Sequence, residues 1–162
     1  MIQIGVEDES IIQRFLRFSV EMTAFPEFKL LGTGQLHAYF DAVVSVVGQD
    51  VLEELLASYE SVTVTDQSER KDLLRRHILG DEKLGAIARN VIKLWYNGGV
   101  WSELPRSWTE SYGALPNNVP FAVSGAAYTE GLVWKAIGAN PPGAKAPGYG
   151  SWSLPPTIPP VP

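Results

Sequence analysis

The sequence predicts an all-α protein, a small helical bundle followed by a long extended C-terminal arm that carries one further helix. Through the first 100 residues, apolar side chains recur at steps of three and four, the spacing of a buried helix face. Eleven of the 12 prolines follow residue 100. Residues 1–100 hold 15 acidic and 10 basic side chains, whereas residues 101–162 hold only 3 of each. We therefore divide the chain into a helical body, 1–100, and a Pro/Gly/aromatic-rich arm, 101–162.

The first half of the body contains two strongly patterned helices. The first follows Asp8 as a candidate N-cap and ends before Pro26, because a residue that precedes proline avoids the α region. A glycine-containing turn spans residues 30–34, with Thr33 as the cap of the next helix. That helix has the clearest apolar stripe in the chain, ends at Gly48 and buries one face: Leu36, Tyr39, Phe40, Val43, Val44 and Val47.

The second half of the body has recognisable helix start and stop signals. Asp66 and Glu69 have the spacing of a capping box, which predicts a polar helix that runs to Leu79. Asp81 is the expected cap of the last body helix, and Gly98-Gly99 supplies its left-handed stop. Two inner faces are expected, one on the helix after Gly48 and one on this last helix: Leu52, Leu55, Leu56 and Tyr59; Leu84, Ile87, Ala88, Val91, Ile92 and Trp95. Nothing in the body calls for a sheet.

The arm has no sustained periodicity except near residues 125–137, where one helix is predicted. Ser124 is its expected N-cap, and the internal glycines Gly125 and Gly131 weaken it by about 1 kcal/mol each relative to alanine. Beyond Asn140 the sequence is rich in proline, so an extended polyproline-like conformation is expected.

Composition excludes several kinds of chemistry. The chain has no cysteine, which removes disulfides, thiolate metal sites and cysteine nucleophiles. The formal net charge of −5 argues against nucleic-acid binding, which needs a basic face. No apolar stretch approaches the ~20 residues that span a bilayer. The N-terminal sequence shows no export signal, so we expect a cytoplasmic protein, or a periplasmic one if a leader has been removed.

The sequence predicts no catalytic, cofactor-binding or metal site in this chain. His37 and Asp41 are four residues apart on a helix, where a carboxylate can orient an imidazole for general base catalysis. The same spacing is more typical of a surface polar pair. The Gly32-Thr33-Gly34 turn lacks the preceding strand and third glycine of a phosphate-binding loop.

The arm is instead predicted to bind a partner protein. It is poor in charge yet contains tryptophan and tyrosine, the residue types that dominate interface energetics. Packing on the chain's own helices and a free tail are the alternatives. The predicted interface residues are spread along the arm: Trp101, Trp108, Tyr128, Trp134, Pro141, Pro142, Tyr149 and Trp152.

Three segments resemble a known family. IIQRFLRFSVEMTAFPEFKLLGTGQLHAYF resembles the opening helix and Leu-x-Gly-Thr-Gly turn of small subunits of FAD-dependent sugar and polyol dehydrogenases. ARNVIKLWYNGGVW is similar to that family's Trp-Tyr-x-Gly helix. AAYTEGLVWKAIGANPPGAKAPGYGSW is similar to its closing pattern of a Tyr/Leu/Trp helix, a Pro-Gly stretch and a final aromatic residue. The family includes gluconate 2-dehydrogenase subunit 3 and the small subunit of membrane-bound sorbitol dehydrogenase.

The resemblance implies a non-catalytic subunit. In that family, FAD and the catalytic histidines belong to a large subunit of the glucose–methanol–choline oxidoreductase type, which passes electrons to a cytochrome or another acceptor. The small subunit binds the large one and assists its folding, and in exported members it carries a twin-arginine signal. Here Arg75-Arg76 lies in the middle of the chain and cannot serve as that signal. A stand-alone carbohydrate-binding module or carbohydrate-active enzyme with tryptophan stacking platforms, and a self-associating structural protein, are the alternatives.

Overall fold

The computed structural model describes residues 6–113 and 115–141, with side chains from residue 11 onward, and it is mostly helical. The body forms six α-helices: α1 (Val6–Thr23), α2 (Glu27–Leu31), α3 (Leu36–Val47), α4 (Gln49–Glu60), α5 (Gln67–Leu74) and α6 (Leu84–Tyr96). The all-α prediction is thus confirmed at the level of fold class. The short helix α2, directly after Pro26, was not predicted.

The polar helix that was predicted to reach Leu79 changes character before its end. After α5 the chain continues as one π-helical turn, Arg75–Leu79, in which the wider winding inserts an extra residue. Its side chain Ile78 is buried, while the basic residues Arg75 and Arg76 are exposed. Gly80 follows in a right-handed conformation and ends the segment.

Two of the five predicted caps, Asp66 and Ser124, are confirmed, and Asp81 caps the turn that leads into α6, whose N-cap residue is Lys83. Asp66 accepts from the Glu69 N–H (2.8 Å), Asp81 accepts from the Leu84 N–H (2.7 Å), and Ser124 accepts from the Ala127 N–H (3.1 Å). Asp8 was the wrong choice, because α1 begins two residues earlier at Val6. The prediction of Thr33 as an N-cap was also wrong. Its hydroxyl donates to Leu30 O and accepts from Gln35 N within the turn before α3, so it stabilises the turn and does not cap the helix.

The described part of the arm contains two short strands and three helices. Strand β1 (Val100–Trp101) pairs antiparallel with β2 (Phe121–Ala122), with Val100 opposite Ala122 and Trp101 opposite Phe121. Helix α7 (Arg106–Tyr112) lies between them in sequence. The single helix predicted for 125–137 is wrong: it is two helices, α8 (Gly125–Glu130) and α9 (Leu132–Ala136). They are separated at Gly131, which is extended (φ −53°, ψ 129°).

One hydrophobic core runs through the body and the described part of the arm. Helix α6 packs against α1, α3, α9, β1 and the π-helical turn. The most buried large side chains of the body include Phe15, Phe18, Tyr39 and Trp95. The same core contains five residues from beyond residue 100: Trp101, Leu104, Trp108, Ala127 and Leu132. The division at residue 100 is therefore a change in composition, across which the packing continues.

Two asparagine side chains form hydrogen bonds with the backbone of the segment that follows β1, in place of the bonds that a neighbouring strand would supply. Asn90 on α6 donates to Ser102 O (2.9 Å) and accepts from Ser102 N (3.3 Å). Asn118 does the same for Leu104, accepting from its N–H (2.8 Å) and donating to its carbonyl (3.3 Å). Each amide thus satisfies one backbone donor and one acceptor, as a neighbouring strand would.

Among residues 6–113 and 115–141, no helix combines the length and the apolar character that crossing a membrane requires.

Candidate docking surface

Two of the predicted interface tryptophans are core residues. Trp101 is fully buried and stacks on Phe121, with ring centroids 6.2 Å apart and planes 13° apart. Trp108 is 4% exposed, and its indole N–H donates to Lys83 O (2.9 Å). Both side chains pack inside this chain, and only a small part of Trp108 remains at the surface.

Tyr128 and Trp134 form the exposed aromatic pair of the arm. Tyr128 is 42% exposed and Trp134 is half-buried. Their rings meet edge to face at 5.5 Å, and the Trp134 indole N–H donates to Tyr128 O (2.9 Å). Pro141 is buried. The remaining predicted anchors, Pro142, Tyr149 and Trp152, lie outside the described residues.

Exposed aliphatic and aromatic side chains are spread along the arm, and of these only Tyr128 was predicted from the sequence; we call this set the arm surface. Eight large apolar side chains are exposed among the described residues, and six of them lie between residues 100 and 137, each 40–52% exposed: Val100, Tyr112, Leu115, Val119, Tyr128 and Ile137. The low charge of this stretch was a usable signal. The predicted interface residues were all aromatic residues and prolines, so the exposed aliphatic side chains were not among them.

A shallow apolar cleft adjoins the arm surface. It has a volume of about 270 Å³ and is lined by Ser45, Asn117, Val119 and Phe121. The Leu115 N–H donates to Val46 O (3.0 Å), which anchors this stretch of the arm to the end of α3. Exposed apolar side chains beside a concave surface are typical of protein–protein contact sites.

A glycine-dependent junction lies beneath Tyr128. Gly98 and Gly99 both have positive φ (68° and 77°), as predicted for the left-handed stop of α6. A Cβ on Gly98 would lie 2.7 Å from Tyr128 Cα, and one on Gly99 would lie 2.6 Å from Ala127 Cβ. A Cβ on Gly131 would lie 3.0 Å from both Tyr96 O and Gly98 N. Only glycine permits this approach of α8 to the end of α6.

The junction brings together the three segments that carry the family resemblance. Tyr39 on α3 meets Trp95 on α6 edge to face, with ring centroids 4.8 Å apart. A Cβ on Gly99 would meet both Ala127 Cβ (2.6 Å) and Tyr39 Cε1 (3.2 Å), so the third segment lies against the other two. Burial raises the pKa of Tyr39, and the nearby carboxylate of Glu130 raises it further, so this phenol stays neutral. The site is built for close packing.

The histidine–carboxylate pair considered for general base catalysis is not joined in this structure. His37 and Asp41 are both exposed on α3, and no hydrogen bond joins them. No group of three or more His, Asp or Glu side chains that could hold a metal ion occurs within the described ranges. What the arm surface can do chemically is exclude water from an apolar contact.

Comparison of the chain with protein-family models, with curated proteins and with solved structures finds no match.

Proposed function

We propose that this chain is a non-catalytic small subunit that binds and stabilises a large FAD-dependent sugar or polyol dehydrogenase of the glucose–methanol–choline type and assists its folding. The observation that carries the proposal is the arm surface. Six exposed large apolar side chains in a stretch of 38 residues that holds few charges favour burial against another protein.

The geometry of the resembling segments supports the proposal. The residues that resemble the small-subunit family are far apart in sequence, yet they pack together at the junction of α3, α6 and α8. FAD, the substrate and the electron acceptor would belong to the partner.

The test is the purification of the full-length tagged chain from its own host. We expect a larger protein with flavin absorbance to co-purify in a fixed ratio. The double variant Tyr128→Ser/Ile137→Ser should lose this flavoprotein, because it removes two exposed apolar contacts of the arm surface.

Phe28→Ser is the matched control. Phe28 is 68% exposed on α2, outside the arm surface, so its replacement removes an exposed apolar side chain and should leave the complex intact. A wild-type chain that purifies as a stable monomer without flavin absorbance would contradict the proposal. Loss of the complex in the control as well would contradict the assignment to the arm surface.

A second candidate, a carbohydrate-binding module, is favoured by one cleft. It has a volume of about 400 Å³ and is lined by both aromatic and polar side chains, the mixture that stacks on and hydrogen-bonds a sugar: Glu82, Ala86, Arg89, Pro105, Ser107, Trp108, Ser111 and Tyr112. A sugar bound there would change the fluorescence of Trp108 in the isolated chain. Tyr112→Ala should abolish that change, and the absence of any response to a panel of sugars would remove this candidate.

A further inference from the structure

A third cleft, lined by residues of the body alone, has a different character. It has a volume of about 330 Å³ and lies between the end of α1, helix α5, the π-helical turn and α6. Six apolar side chains form most of its wall: Val20, Met22, Ala24, Leu74, Leu79 and Ile92. Its size and apolar lining are those of a small-molecule pocket, which typically spans about 300–1,000 Å³.

The charge at this cleft is positive although the chain as a whole is acidic. Three charged side chains line it: Glu21, Lys71 and Arg75. Glu21 is already neutralised, because Arg70 donates to both of its oxygens (2.6 and 2.8 Å). Lys71 and Arg75 are exposed and form no ion pair with any described residue. Two uncompensated cations therefore remain beside an apolar wall.

Two backbone irregularities meet at the same cleft. Ala24 is the only non-glycine residue with positive φ (59°) in the described ranges, a conformation that is strained for an L-residue. The π-helical turn supplies Arg75 and Leu79 to the opposite wall. Strained backbone and single π turns both concentrate at functional sites. The turn winds so that Arg75 and Leu79 line the cleft together.

We propose that this cleft binds an amphipathic anion, a small molecule with an aliphatic chain and one carboxylate head. The chain lies against Met22, Leu79 and Ile92, and the head is held by Lys71 and Arg75. This site is separate from the arm surface and does not depend on the proposed dehydrogenase partner.

Decanoate, below its micelle concentration, is the probe for the full-length chain. The protein contains two methionines, so isotope labelling of methionine methyl groups gives a simple NMR spectrum in which Met22→Leu assigns the signal of Met22. We expect a saturable shift of that signal on titration with decanoate. Decanol should bind at least about fivefold more weakly, because it lacks the charge that two ion pairs recognise.

The double variant Lys71→Gln/Arg75→Gln should lose the preference for decanoate over decanol, and Arg76→Gln is the matched control. Arg76 is the neighbouring exposed cation, bonded to Asp72 O and absent from the cleft wall, so its replacement should leave binding unchanged. Three results would overturn the proposal: no saturable shift of Met22, equal binding of decanol and decanoate by the wild-type chain, or an equal loss in Arg76→Gln. The comparison of decanoate with decanol uses the wild-type chain, so it does not depend on whether a variant folds.

Discussion

Glu21 illustrates how one carboxylate connects three helices. It lies on α1, accepts from Arg70 on α5 through two guanidinium nitrogens, and accepts from the Tyr59 hydroxyl on α4 (2.9 Å). Arg70 also donates to Val62 O in the connector after α4. These hydrogen bonds, those from Arg70 first, hold the pKa of Glu21 below its usual 4.5. The ionised form is therefore favoured by folding.

The sign of this pKa shift predicts a specific acid sensitivity. A carboxylate whose pKa is lowered by folding stabilises the protein above its unfolded pKa and loses that contribution as the pH falls through the folded value. Stability should therefore decline as the pH drops below about 4.5, and Glu21→Gln should flatten this decline in urea unfolding measured at several pH values. Glu103→Gln, which alters an exposed carboxylate outside any ion pair of the described residues, should retain the wild-type slope.

Val43 tests the core at the scale of a single residue. Its side chain is fully buried on α3, and Val43→Asp would place an unpaired carboxylate there. We expect a loss of several kcal/mol in the free energy of unfolding, enough to unfold a domain of this size. His37→Asp introduces the same residue at an exposed position of the same helix, and circular dichroism should show it folded. A folded Val43→Asp variant would contradict the assigned helix face.

At the scale of elements, the sequence predicted those features that depend on local chemistry. The existence and end of α3, the cap Asp66 and the stop at Gly98-Gly99 were correct because each rests on residues within one or two turns. The α3 face was only partly correct, because Phe40 and Val44 are partly buried while Ala42 and Val46 are buried instead. The break at Gly131 was not predictable in this way. Its extended conformation brings it against the backbone of Tyr96 and Gly98, some 30 residues away in sequence.

The junction provides a paired test of two glycines with the same φ. Gly34 and Gly98 both have φ of 68°, but a Cβ on Gly34 would meet nothing within 4 Å, whereas one on Gly98 would meet Tyr128 Cα at 2.7 Å. Gly34→Ala should cost about 1–2 kcal/mol for the left-handed backbone alone. Gly98→Ala should cost about 1–3 kcal/mol more for the overlap. Equal losses in urea unfolding would show that α8 does not pack on α6 as described.

At the scale of the whole molecule, the arm was only partly predictable. Its aromatic and neutral composition correctly indicated burial, but composition cannot distinguish a partner's surface from the chain's own core. For Trp101 and Trp108 the chain's own core takes that role, since both side chains are buried in it. The exposed side chains Leu115, Val119 and Ile137 were missed because their exposure depends on how the arm folds back.

One prediction concerns Tyr149 and Trp152, which lie outside the described residues. If Tyr149 and Trp152 are buried anchors in the proposed complex, Trp152→Ala/Tyr149→Ala should weaken it by about 2 kcal/mol per anchor. Helical content, measured by circular dichroism, should hardly change. Titration of the purified flavoprotein with wild-type and variant chains measures the difference. An unchanged dissociation constant would show that this segment is not part of the contact.

Because the core is shared, it cannot be completed until the arm has been synthesised. Helix α6 is complete at Tyr96, but Ala127 and Leu132, which join its core, are made more than 30 residues later. At ribosomal rates of about 5–20 residues per second, this interval lasts roughly 2–6 seconds. During this interval the nascent chain exposes Trp95 and its neighbours, because Ala127 and Leu132 have not yet been made. We expect newborn chains to depend on holding chaperones until Leu132 has left the exit tunnel.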